Sequence, residues 1–501
     1  MAELTSKPFP PGDYPVVVVG SGPGGLQVGY FLRRLGVEAP ILSEDSEPAG
    51  MFRRFPLFQR LITWSKPYAP VETTGRAYEW YDWNSMLVED ESHRAFLRNF
   101  MDGTSYFPSR DEMERSLVAF AQRSGIEVRY ECRWESTEIL DGGIALTTSD
   151  GEYRCRVAVF AIGVSRPYRP PNMPGIEEVP HYMDVDIGPQ FEGRRVFVIG
   201  KQNSAFEIAD GLLPKARQII LASPRPARIS LFTHSTAAAR ARYVQPYEDH
   251  ILGGGTFVLD AAINRVERTA DGYRVHASGT TKPGELIFDV DEVIAATGVK
   301  APLQDLPDLG VKTFYRGGVL PALTPFWESA TLPRIYFAGG ATQGAVGLKK
   351  YGIPSNSAAV HGFRYNARVL ARHLASTHFG IETSTPALKS SEVADYLLAE
   401  ATRAPELWNQ QSYLARVITF DETSGIFDEG ILPLHHFVDA EGPDAVALAV
   451  ETDETGDIHP AVYSRRGGRV DETLLVGDPL LNFETSEHRA QLSAVLERFL
   501  T

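Results

Sequence analysis

The residues most suggestive of chemistry are three glycines that follow a run of valines. Gly20, Gly22 and Gly25 have the spacing Gly-x-Gly-x-x-Gly after the apolar stretch at 15–20. In a strand–turn–helix unit, the first glycine permits the tight turn, the second lets a pyrophosphate approach the backbone, and the third permits close helix–strand packing. Glu44 ends the next apolar stretch, where a carboxylate can accept hydrogen bonds from ribose hydroxyls. The pattern predicts a dinucleotide site.

A second strand–turn–helix pattern, at 194–213, has different residues in the turn. Gly200 keeps the first position, whereas Gln202 replaces the middle glycine and Ala205 the third. Arg225 and Arg228 follow the next apolar stretch, where an NAD site would have an acidic residue and where arginine suits a 2′-phosphate. The pattern therefore favours NADPH over NADH, and a structural turn without a ligand is the alternative.

Two such units in one chain indicate an α/β protein with two Rossmann-like dinucleotide-binding domains. The strand before Gly163 and the strand before Gly298 each end in a glycine turn, which is typical of a crossing between domains. We predict an outer domain formed by 1–165 and 292–378, an inserted domain at 166–291, and a C-terminal α+β extension at 379–501. In the extension, Gly467-Gly468 is expected to form a hairpin turn, and 486–500 an amphipathic helix.

Composition restricts the possible partners and the compartment. The 501 residues carry a formal net charge of −15, which argues against nucleic acid or an anionic membrane surface as the main partner. No apolar stretch reaches the ~18 residues of a membrane span. The polar, proline-rich start does not resemble a signal peptide, and there are only two cysteines, so a cytoplasmic protein is expected. The oligomeric state stays open, a homo-oligomer included.

Several motifs together carry a family resemblance. The stretches PAGMFRRFP, GKQNSAFEIA and VIAATGVKAPL resemble the two-dinucleotide flavoproteins, in the motif order of the class B flavin-containing monooxygenases and their N-hydroxylating relatives. The stretches LITWSKPY, YDWNSML, HGFRYNARVL and LHHFVD are similar to the FAD-dependent oxidoreductase-domain flavoproteins of the endoplasmic reticulum. This second resemblance extends over most of the chain, and its match in the C-terminal extension is the less specific part.

The resemblance implies FAD in the outer domain and NADPH in the inserted domain. Gly20, Gly22, Gly25 and Glu44 would hold the FAD pyrophosphate and ribose, and Trp134 would lie beside the adenine. Around the ribityl chain or flavin ring, the resemblance places Gly339, Gly340 and Gln343. The nicotinamide nucleotide would face Asn203 and Ser204.

The cysteine content bears on the reaction. Cys132 and Cys155 cannot form a CxxC pair, so the disulfide-reductase route is not expected. The other route is dioxygen, in which the reduced flavin forms a 4a-hydroperoxide that oxygenates a soft nucleophile. Two departures from the monooxygenase pattern weigh against oxygen activation more than against FAD binding. The asparagine expected near Thr63–Ser65 is missing, and the spacing around His181 differs from the pattern.

We therefore expect a monooxygenase that combines dioxygen with a small-molecule substrate, favoured at nitrogen (an amine or amino acid) by the stretch GAVGLKKYG. Ser65 and Lys66 are the candidate catalytic residues beside the flavin, with a packing loop as the alternative. Arg240, Arg242 and Tyr247, in the glycine-containing stretch 232–255, are candidate substrate contacts. The rival function is a flavoprotein reductase or a redox-partner protein without oxygen transfer.

Overall fold

The computed structural model describes residues 7–55, 60–72, 75–230, 238–247, 254–315, 318–345, 347, 355–421 and 423–500. The chain divides into two compact units. Unit 1 consists of Met1–Arg53, Thr63–Val164 and Ala301–Thr501, and unit 2 of Arg54–Ile62 and Ser165–Lys300.

Strands and helices alternate in the first part of each unit, as predicted. The strands in chain order are β1 (Gly12–Val19), β2 (Ile41–Leu42), β3 (Val128–Arg129), β4 (Trp134–Leu140), β5 (Gly143–Thr148), β6 (Gly151–Phe160), β7 (Arg166–Pro167), β8 (Arg195–Ile199), β9 (Gln218–Ser223), β10 (Thr256–Thr269), β11 (Gly272–Gly279), β12 (Gly284–Val290), β13 (Glu292–Ala295), β14 (Val299–Lys300), β15 (Thr313–Phe314), β16 (Leu320–Pro321), β17 (Ile335–Phe337), β18 (Ala387–Leu388), β19 (Leu414–Asp421), β20 (Gly425–Pro433), β21 (Ala445–Thr452), β22 (Ile458–Arg466) and β23 (Arg469–Leu474). The helices are α1 (Pro23–Arg34), α2 (Arg110–Ser124), α3 (Asn203–Leu212), α4 (Ala241–Val244), α5 (Val360–Phe379), α6 (Val393–Arg403), α7 (Pro405–Asn409), α8 (Leu434–Asp439) and α9 (Ser486–Leu500).

The main sheet of unit 1 is built around β1. Its order is β3-β2-β1-β6-β5-β4, and β17 pairs with the other side of β6. The pairs β1–β2, β1–β6 and β6–β17 are parallel, so the carboxyl ends of β1, β6 and β17 lie at one edge. The continuous valine run Val16–Val19 is buried, as expected for a strand covered on both faces. This edge receives the glycine-rich turn that begins α1.

Unit 2 repeats this plan. Its sheet has the order β12-β11-β10-β9-β8-β13, in which β13–β8, β8–β9 and β9–β10 pair in parallel. On its other side β10 pairs with β11, and β11 pairs with β12, so that these three strands form an antiparallel meander. The meander and the parallel strands share one apolar core, which includes Phe197, Ile220 and Val275. The predicted α/β class with two Rossmann-like domains is therefore confirmed.

The predicted boundary at 291/292 needs a correction. Strand β13 pairs with β8 and belongs to unit 2, because its apolar residues Val293 and Ile294 complete the buried parallel sheet there. Unit 2 therefore continues to Lys300, and it also includes Arg54–Ile62, which no pattern in the sequence indicated.

The C-terminal extension lies within unit 1. Its sheet has the order β18-β20-β19-β21-β22-β23, and every residue of β21 is buried. The turn between β22 and β23 is Gly467-Gly468, with φ of 55° and 80°, and α9 follows as predicted. The extension is thus an α+β layer that shares a compact unit with the first dinucleotide fold.

Candidate functional site

The Gly20 turn of unit 1 is a tight crossing between β1 and α1. Gly20 has φ of 109°, and its N–H donates to the Leu42 carbonyl oxygen at 2.7 Å. A Cβ at Gly20 would lie 2.5 Å from the Ala161 carbonyl oxygen, and one at Gly25 would lie 1.9 Å from the Gly20 carbonyl oxygen. These two glycines are therefore required by the packing of the protein itself.

Gly22 differs from both of its neighbours in the motif. Its backbone is extended, with φ of −69° and ψ of 179°, which any residue can adopt. A Cβ there would lie 4.0 Å from the Gly50 Cα, an ordinary van der Waals distance. The protein leaves room for a side chain at Gly22, so a ligand that approaches the backbone explains the glycine better than the fold does.

Helix α1 begins beside this space without a capping side chain. It has neither a side-chain cap hydrogen bond nor an acidic residue in its first turn. Helix α2, by contrast, has a capping box in which Ser109 and Glu112 satisfy backbone N–H groups reciprocally. The open N–H groups and the positive end of the α1 dipole suit a phosphate.

A third segment closes the cradle. The 3₁₀ turn Gly339–Gly344 follows β17, and a Cβ at Gly24 would lie 2.5 Å from the Gly339 Cα. The third turn therefore lies against the start of α1. The predicted residues Gly339, Gly340 and Gln343 all belong to it, and Gly340 and Gln343 are half-buried.

The remaining residues predicted for this site differ in how accessible they are. Glu44 is exposed just after β2, next to Ser43, whose hydroxyl lies 2.7 Å from that of Ser21. Trp134 is buried. Its indole packs on Phe160 at 4.8 Å between ring centroids, and its N–H donates to Thr137. The contacts of Trp134 are those of a core residue, so we do not retain it as an adenine neighbour.

The Gly200 turn of unit 2 reproduces the geometry of the Gly20 turn. The Gly200 N–H donates to the Ala222 carbonyl oxygen at 2.8 Å, and a Cβ at Gly200 would lie 2.5 Å from the Ala296 carbonyl oxygen. Ala205 is buried in the place of the third glycine, whereas Gln202 is exposed and extended before α3. Helix α3, like α1, begins without a side-chain cap or an acidic first turn.

Two arginines stand at the carboxyl end of β9 in unit 2. Arg225 and Arg228 are exposed, and no ion pair joins either of them to a carboxylate within the described part of the chain. The nearby carboxylate of Asp260 pairs with the ammonium of Lys201, which is 1% exposed, and also accepts a hydrogen bond from Thr281. The pair leaves the positive charge of Arg225 and Arg228 available for an anion.

Asn203 has a different task from the one the resemblance implied. Its side-chain N–H donates to the Ala238 carbonyl oxygen at 2.9 Å, and its side-chain oxygen accepts from the Arg240 N–H at 3.0 Å. The amide therefore clamps the segment 238–240 onto α3. The next residue, Ser204, is half-buried in the first turn of that helix.

Two of the three residues predicted to contact substrate, Arg242 and Tyr247, contact other residues of unit 2. Arg242 donates to the carbonyl oxygens of Arg60 and Leu61 at 2.8 and 2.9 Å, so its guanidinium anchors a loop. Tyr247 is buried and packs on Phe206 at 5.5 Å, and burial raises the pKa of its hydroxyl. Both side chains serve the packing of unit 2.

Arg240 keeps an unsatisfied guanidinium. Within the described part of the chain, its buried Nε and Nη2 atoms have no hydrogen-bond partner, and burial, followed by the charge of Arg242, lowers the pKa of this group. Residues 231–237 and 248–253 of the same stretch lie outside the described residues, as does most of GAVGLKKYG.

The two residues predicted to be catalytic have different surroundings. Ser65 is fully buried, and its hydroxyl donates to the Asp82 carboxylate at 2.7 Å. Lys66 is exposed, with its ammonium 5.9 Å from the centre of the Tyr81 ring. Ser65 therefore helps to fix a loop, which was the alternative reading, and the contacts of Lys66 assign it no role in the chemistry.

An asparagine that no sequence motif singled out lies beside this loop. Asn84 is buried and donates to the Trp64 carbonyl oxygen at 2.9 Å and to the Ser65 hydroxyl at 3.2 Å. Its side-chain oxygen accepts from Thr63 at 2.6 Å. Asn84 follows the loop by about twenty residues in sequence, so the positions next to Thr63–Ser65 give no signal for it. The stretch YDWNSML contains it.

The two cysteines are not arranged for disulfide exchange. Cys132 and Cys155 are buried and free. Burial raises the pKa of both thiols, that of Cys155 to about 12. Because the thiolate is the reactive form, neither cysteine offers an outlet for electrons.

Two Rossmann-like folds with open helix N-termini define a two-dinucleotide oxidoreductase. Residues 17–339 match the model of the pyridine nucleotide-disulphide oxidoreductase family, and the chain belongs to that family. The prediction of an oxidoreductase that uses FAD and NADP(H) is thereby confirmed at the level of the family.

Curated relatives resemble the chain at low identity. It is 26% identical over 450 residues to the mouse protein named FAD-dependent oxidoreductase domain-containing protein 2, which covers 82% of this chain and 65% of the relative. It is 25% identical over 383 residues to a ferredoxin–NADP reductase of Salinispora arenicola, covering 72% of this chain and 97% of the relative. The chain thus spans about 65% of the length of the first of these relatives.

Solved structures share the fold. A flavin-containing monooxygenase from Stenotrophomonas maltophilia aligns with a TM-score of 0.54 at 19% identity, over 73% of this chain and 98% of that one. An ornithine N-hydroxylase from Kutzneria sp. 744 aligns with a TM-score of 0.53 at 16% identity, over 72% and 99%. The predicted resemblance to these flavoproteins is confirmed at the level of the fold. No helix in the described residues is long and apolar enough to cross a membrane.

Proposed function

We propose that the protein is an NADPH- and FAD-dependent monooxygenase that oxygenates a small metabolite at nitrogen. The proposal depends most on one repeated feature. In each unit, a glycine turn leads into a helix whose first backbone N–H groups have no side-chain cap, in α1 and in α3. The neighbours named as monooxygenase and N-hydroxylase support the choice of oxygen transfer.

Each cofactor has a separate set of residues in this proposal. FAD would bind along Gly22 and the start of α1, with its ribose hydroxyls on Glu44 and the remainder toward Gly339, Gly340 and Gln343. NADPH would bind at the start of α3, with Gln202 and Ser204 beside it and its 2′-phosphate on Arg225 and Arg228. FAD held by these residues would supply two-electron chemistry toward NADPH and dioxygen.

The overall reaction balances without a redox-active protein side chain. An amine, dioxygen, NADPH and a proton give a hydroxylamine, water and NADP⁺. One oxygen atom enters the new N–O bond, and the other leaves as water. The absence of a reactive cysteine pair agrees with this route, because both thiols are buried with raised pKa values.

Arg240 extends the proposal to the substrate. Its buried Nε and Nη2 atoms, which have no hydrogen-bond partner among the residues that the structure describes, would be satisfied by a carboxylate, which favours an amino-acid-like amine over a simple one. Asn203 fixes the backbone of Arg240, so this group is held in place before a ligand arrives.

A second candidate function rests on a specific similarity. The ferredoxin–NADP reductase of Salinispora arenicola is matched over 97% of its length. A reductase would pass electrons from NADPH through the flavin to a protein acceptor, and it would incorporate no oxygen into a small molecule.

Isotope labelling separates the two functions. Purified protein is supplied with NADPH, ¹⁸O₂ and a set of amines and amino acids, and products are analysed by mass spectrometry. A monooxygenase gives a product that carries one ¹⁸O atom per NADPH consumed. NADPH oxidation that requires added ferredoxin, without labelled product from any of the amines, would contradict the proposal and favour the reductase.

A further inference from the structure

The C-terminal extension sends one side chain toward the predicted FAD cradle. Gln410 follows α7 and is fully buried. Its side-chain N–H group donates to the Asn366 side-chain oxygen at 2.5 Å and to the Ser357 hydroxyl at 3.0 Å. Both partners belong to the segment that leads into and forms α5, so the extension and the first dinucleotide fold are joined by an uncharged, buried contact.

The hydrogen bonds continue from α5 to the third turn of the cradle. Asn366 is also fully buried, and its side-chain N–H donates to the Thr342 hydroxyl at 3.1 Å. The Thr342 hydroxyl donates to the Gly339 carbonyl oxygen at 2.7 Å. Gly339 is the residue that lies against Gly24 at the start of α1. An unbroken chain of polar contacts thus leads from Gln410 to the backbone of the cradle.

A second residue of the extension, Tyr413, contacts the segment that precedes the same turn. Tyr413 is buried, and its hydroxyl donates to the Pro325 carbonyl oxygen at 2.9 Å. Its ring lies 5.9 Å from that of Trp327, whose carbonyl oxygen accepts from the Phe337 N–H at the end of β17. Strand β17 leads directly into the third turn, so Gln410 and Tyr413 act on the same part of the fold.

We infer that Gln410 is a positioning residue for FAD, and that the C-terminal extension is part of the flavin-binding apparatus. The inference rests on the proposed binding of FAD in unit 1. Gln410 holds Asn366, Asn366 holds Thr342, and Thr342 sets the backbone of Gly339 where the cofactor must fit. Buried networks of this kind fix geometry because a broken member leaves its neighbours unpaired in a medium of low dielectric constant.

The physical alternative is that Gln410 only stabilises the extension. A matched control is available in Tyr463, which is buried in β22 and whose hydroxyl donates to Glu451 at 2.6 Å. The bond joins β21 and β22 of the extension, and neither residue is a member of the hydrogen-bonded chain from Gln410 to Gly339. Tyr463→Phe therefore removes a buried hydrogen bond from the same layer without touching the relay.

The test measures FAD affinity and stability separately in the full-length chain. Apoprotein of wild type, Gln410→Met, Thr342→Val and Tyr463→Phe is titrated with FAD, and binding is followed by the quenching of flavin fluorescence. The same apoproteins are unfolded in urea. We expect Gln410→Met to weaken FAD binding about tenfold, as the loss of one or two hydrogen bonds implies. Tyr463→Phe should bind FAD like wild type at a comparable loss of stability.

A double variant checks that the effect travels through the relay. If Gln410 acts through Thr342, the double variant should bind FAD about as weakly as the weaker of the two single variants. The second substitution then removes a link from a hydrogen-bond relay that the first has already interrupted. Fold-changes that multiply, or a Gln410→Met affinity equal to that of wild type, would overturn the inference. A wild-type chain that binds no FAD would instead overturn the cofactor assignment and the inference together. Should Gln410→Met not fold, Thr342→Val measured against Tyr463→Phe decides the same question.

Discussion

At the scale of single residues, Gly22 separates what the fold requires from what a ligand requires. Gly20 and Gly25 would clash with protein backbone if they carried a Cβ, whereas Gly22 has room for one. The sequence motif expects the turn and the packing to require Gly20 and Gly25, and a ligand to require Gly22; the space around a Cβ at each position agrees with that division.

The first prediction follows from that difference. Gly22→Ala should leave the free energy of unfolding of the apoprotein within about 1 kcal/mol of wild type, and it should weaken FAD binding at least tenfold, since the new methyl group occupies the path of the pyrophosphate. Gly25→Ala should destabilise the apoprotein itself. Urea unfolding and FAD titration of both variants test this prediction. An unchanged FAD affinity of Gly22→Ala would show that the pyrophosphate does not bind at this turn.

The second prediction concerns the 2′-phosphate. Arg225→Ala should weaken NADPH binding by about tenfold or more, because a charge-assisted hydrogen bond is lost, and it should leave NADH and FAD binding unchanged. Arg217→Ala is the matched control, since this exposed arginine precedes the opposite end of β9. Equal NADPH affinities of the two variants, measured by calorimetry, would refute the assignment.

Residue roles were harder to predict than residue positions. The resemblance predicted Gly339 and Gly340 near the ribityl chain or flavin ring, and the structure has both on the turn that lies against α1. The resemblance could not show that Asn203 bonds to the segment 238–240 or that Ser65 bonds to Asp82. These roles depend on partners far away in sequence. A side chain that looks available in a motif can be fully occupied by such a partner.

At the scale of elements, a group of charges around the buried carboxylate of Glu406 joins α7 to the rest of unit 1. Glu406 is 2% exposed and accepts hydrogen bonds from Arg76, with a shortest ion-pair distance of 2.9 Å, and from Arg368. Arg76 also pairs with Glu400 of α6 at 2.6 Å. Burial by itself would raise the pKa of the Glu406 carboxyl, but the charges of Arg368 and Arg76 outweigh it and lower this pKa to about 2.

The third prediction is the cost of breaking this group. Glu406→Gln leaves two arginines without their shared carboxylate, and it should lower the free energy of unfolding by about 3–5 kcal/mol. Glu441→Gln, at an exposed position of the extension, should change it by less than about 0.5 kcal/mol. Denaturant unfolding of both variants at neutral pH provides the comparison, and similar stabilities would show that the pair contributes little.

The fourth prediction is the pH dependence of the same contact. Because the pKa of Glu406 is lower in the folded protein than its ordinary value of 4.5, its contribution is fully present above that value and is lost as the pH falls toward about 2. Wild type should therefore lose stability more steeply than Glu406→Gln between about pH 4.5 and about pH 3. Parallel curves for the two proteins, obtained by urea unfolding, would contradict this role of Glu406.

Elements were the most predictable level. The buried valine strand, the paired turns and the hairpin at Gly467-Gly468 all have local signals, and all formed as expected. The limit was the strand β13, since its short apolar run fits either sheet and only its pairing with β8 assigns it to unit 2. The link from α7 to Arg76 also has no local signal, because its partners are separated by 330 positions.

At the scale of the whole molecule, the chain combines two dinucleotide folds of one plan with an extension that belongs to the first. The sequence predicted the two folds from repeated turn chemistry, and it predicted the C-terminal α+β extension without a role. The relay from Gln410 to Gly339 suggests why the extension is retained within unit 1: it supports the turn on which the flavin would rest.

In the function proposed above, the chain receives electrons from NADPH on unit 2 and stores them on FAD in unit 1. The most direct measurement is an anaerobic stopped-flow experiment in which FAD-loaded protein is mixed with NADPH or NADH and the visible absorbance of the flavin is followed. We predict that NADPH bleaches the flavin, and that Arg225→Ala narrows the preference of NADPH over NADH at least tenfold. A flavin that NADPH does not reduce, or that both nucleotides reduce equally in wild type, would contradict the account.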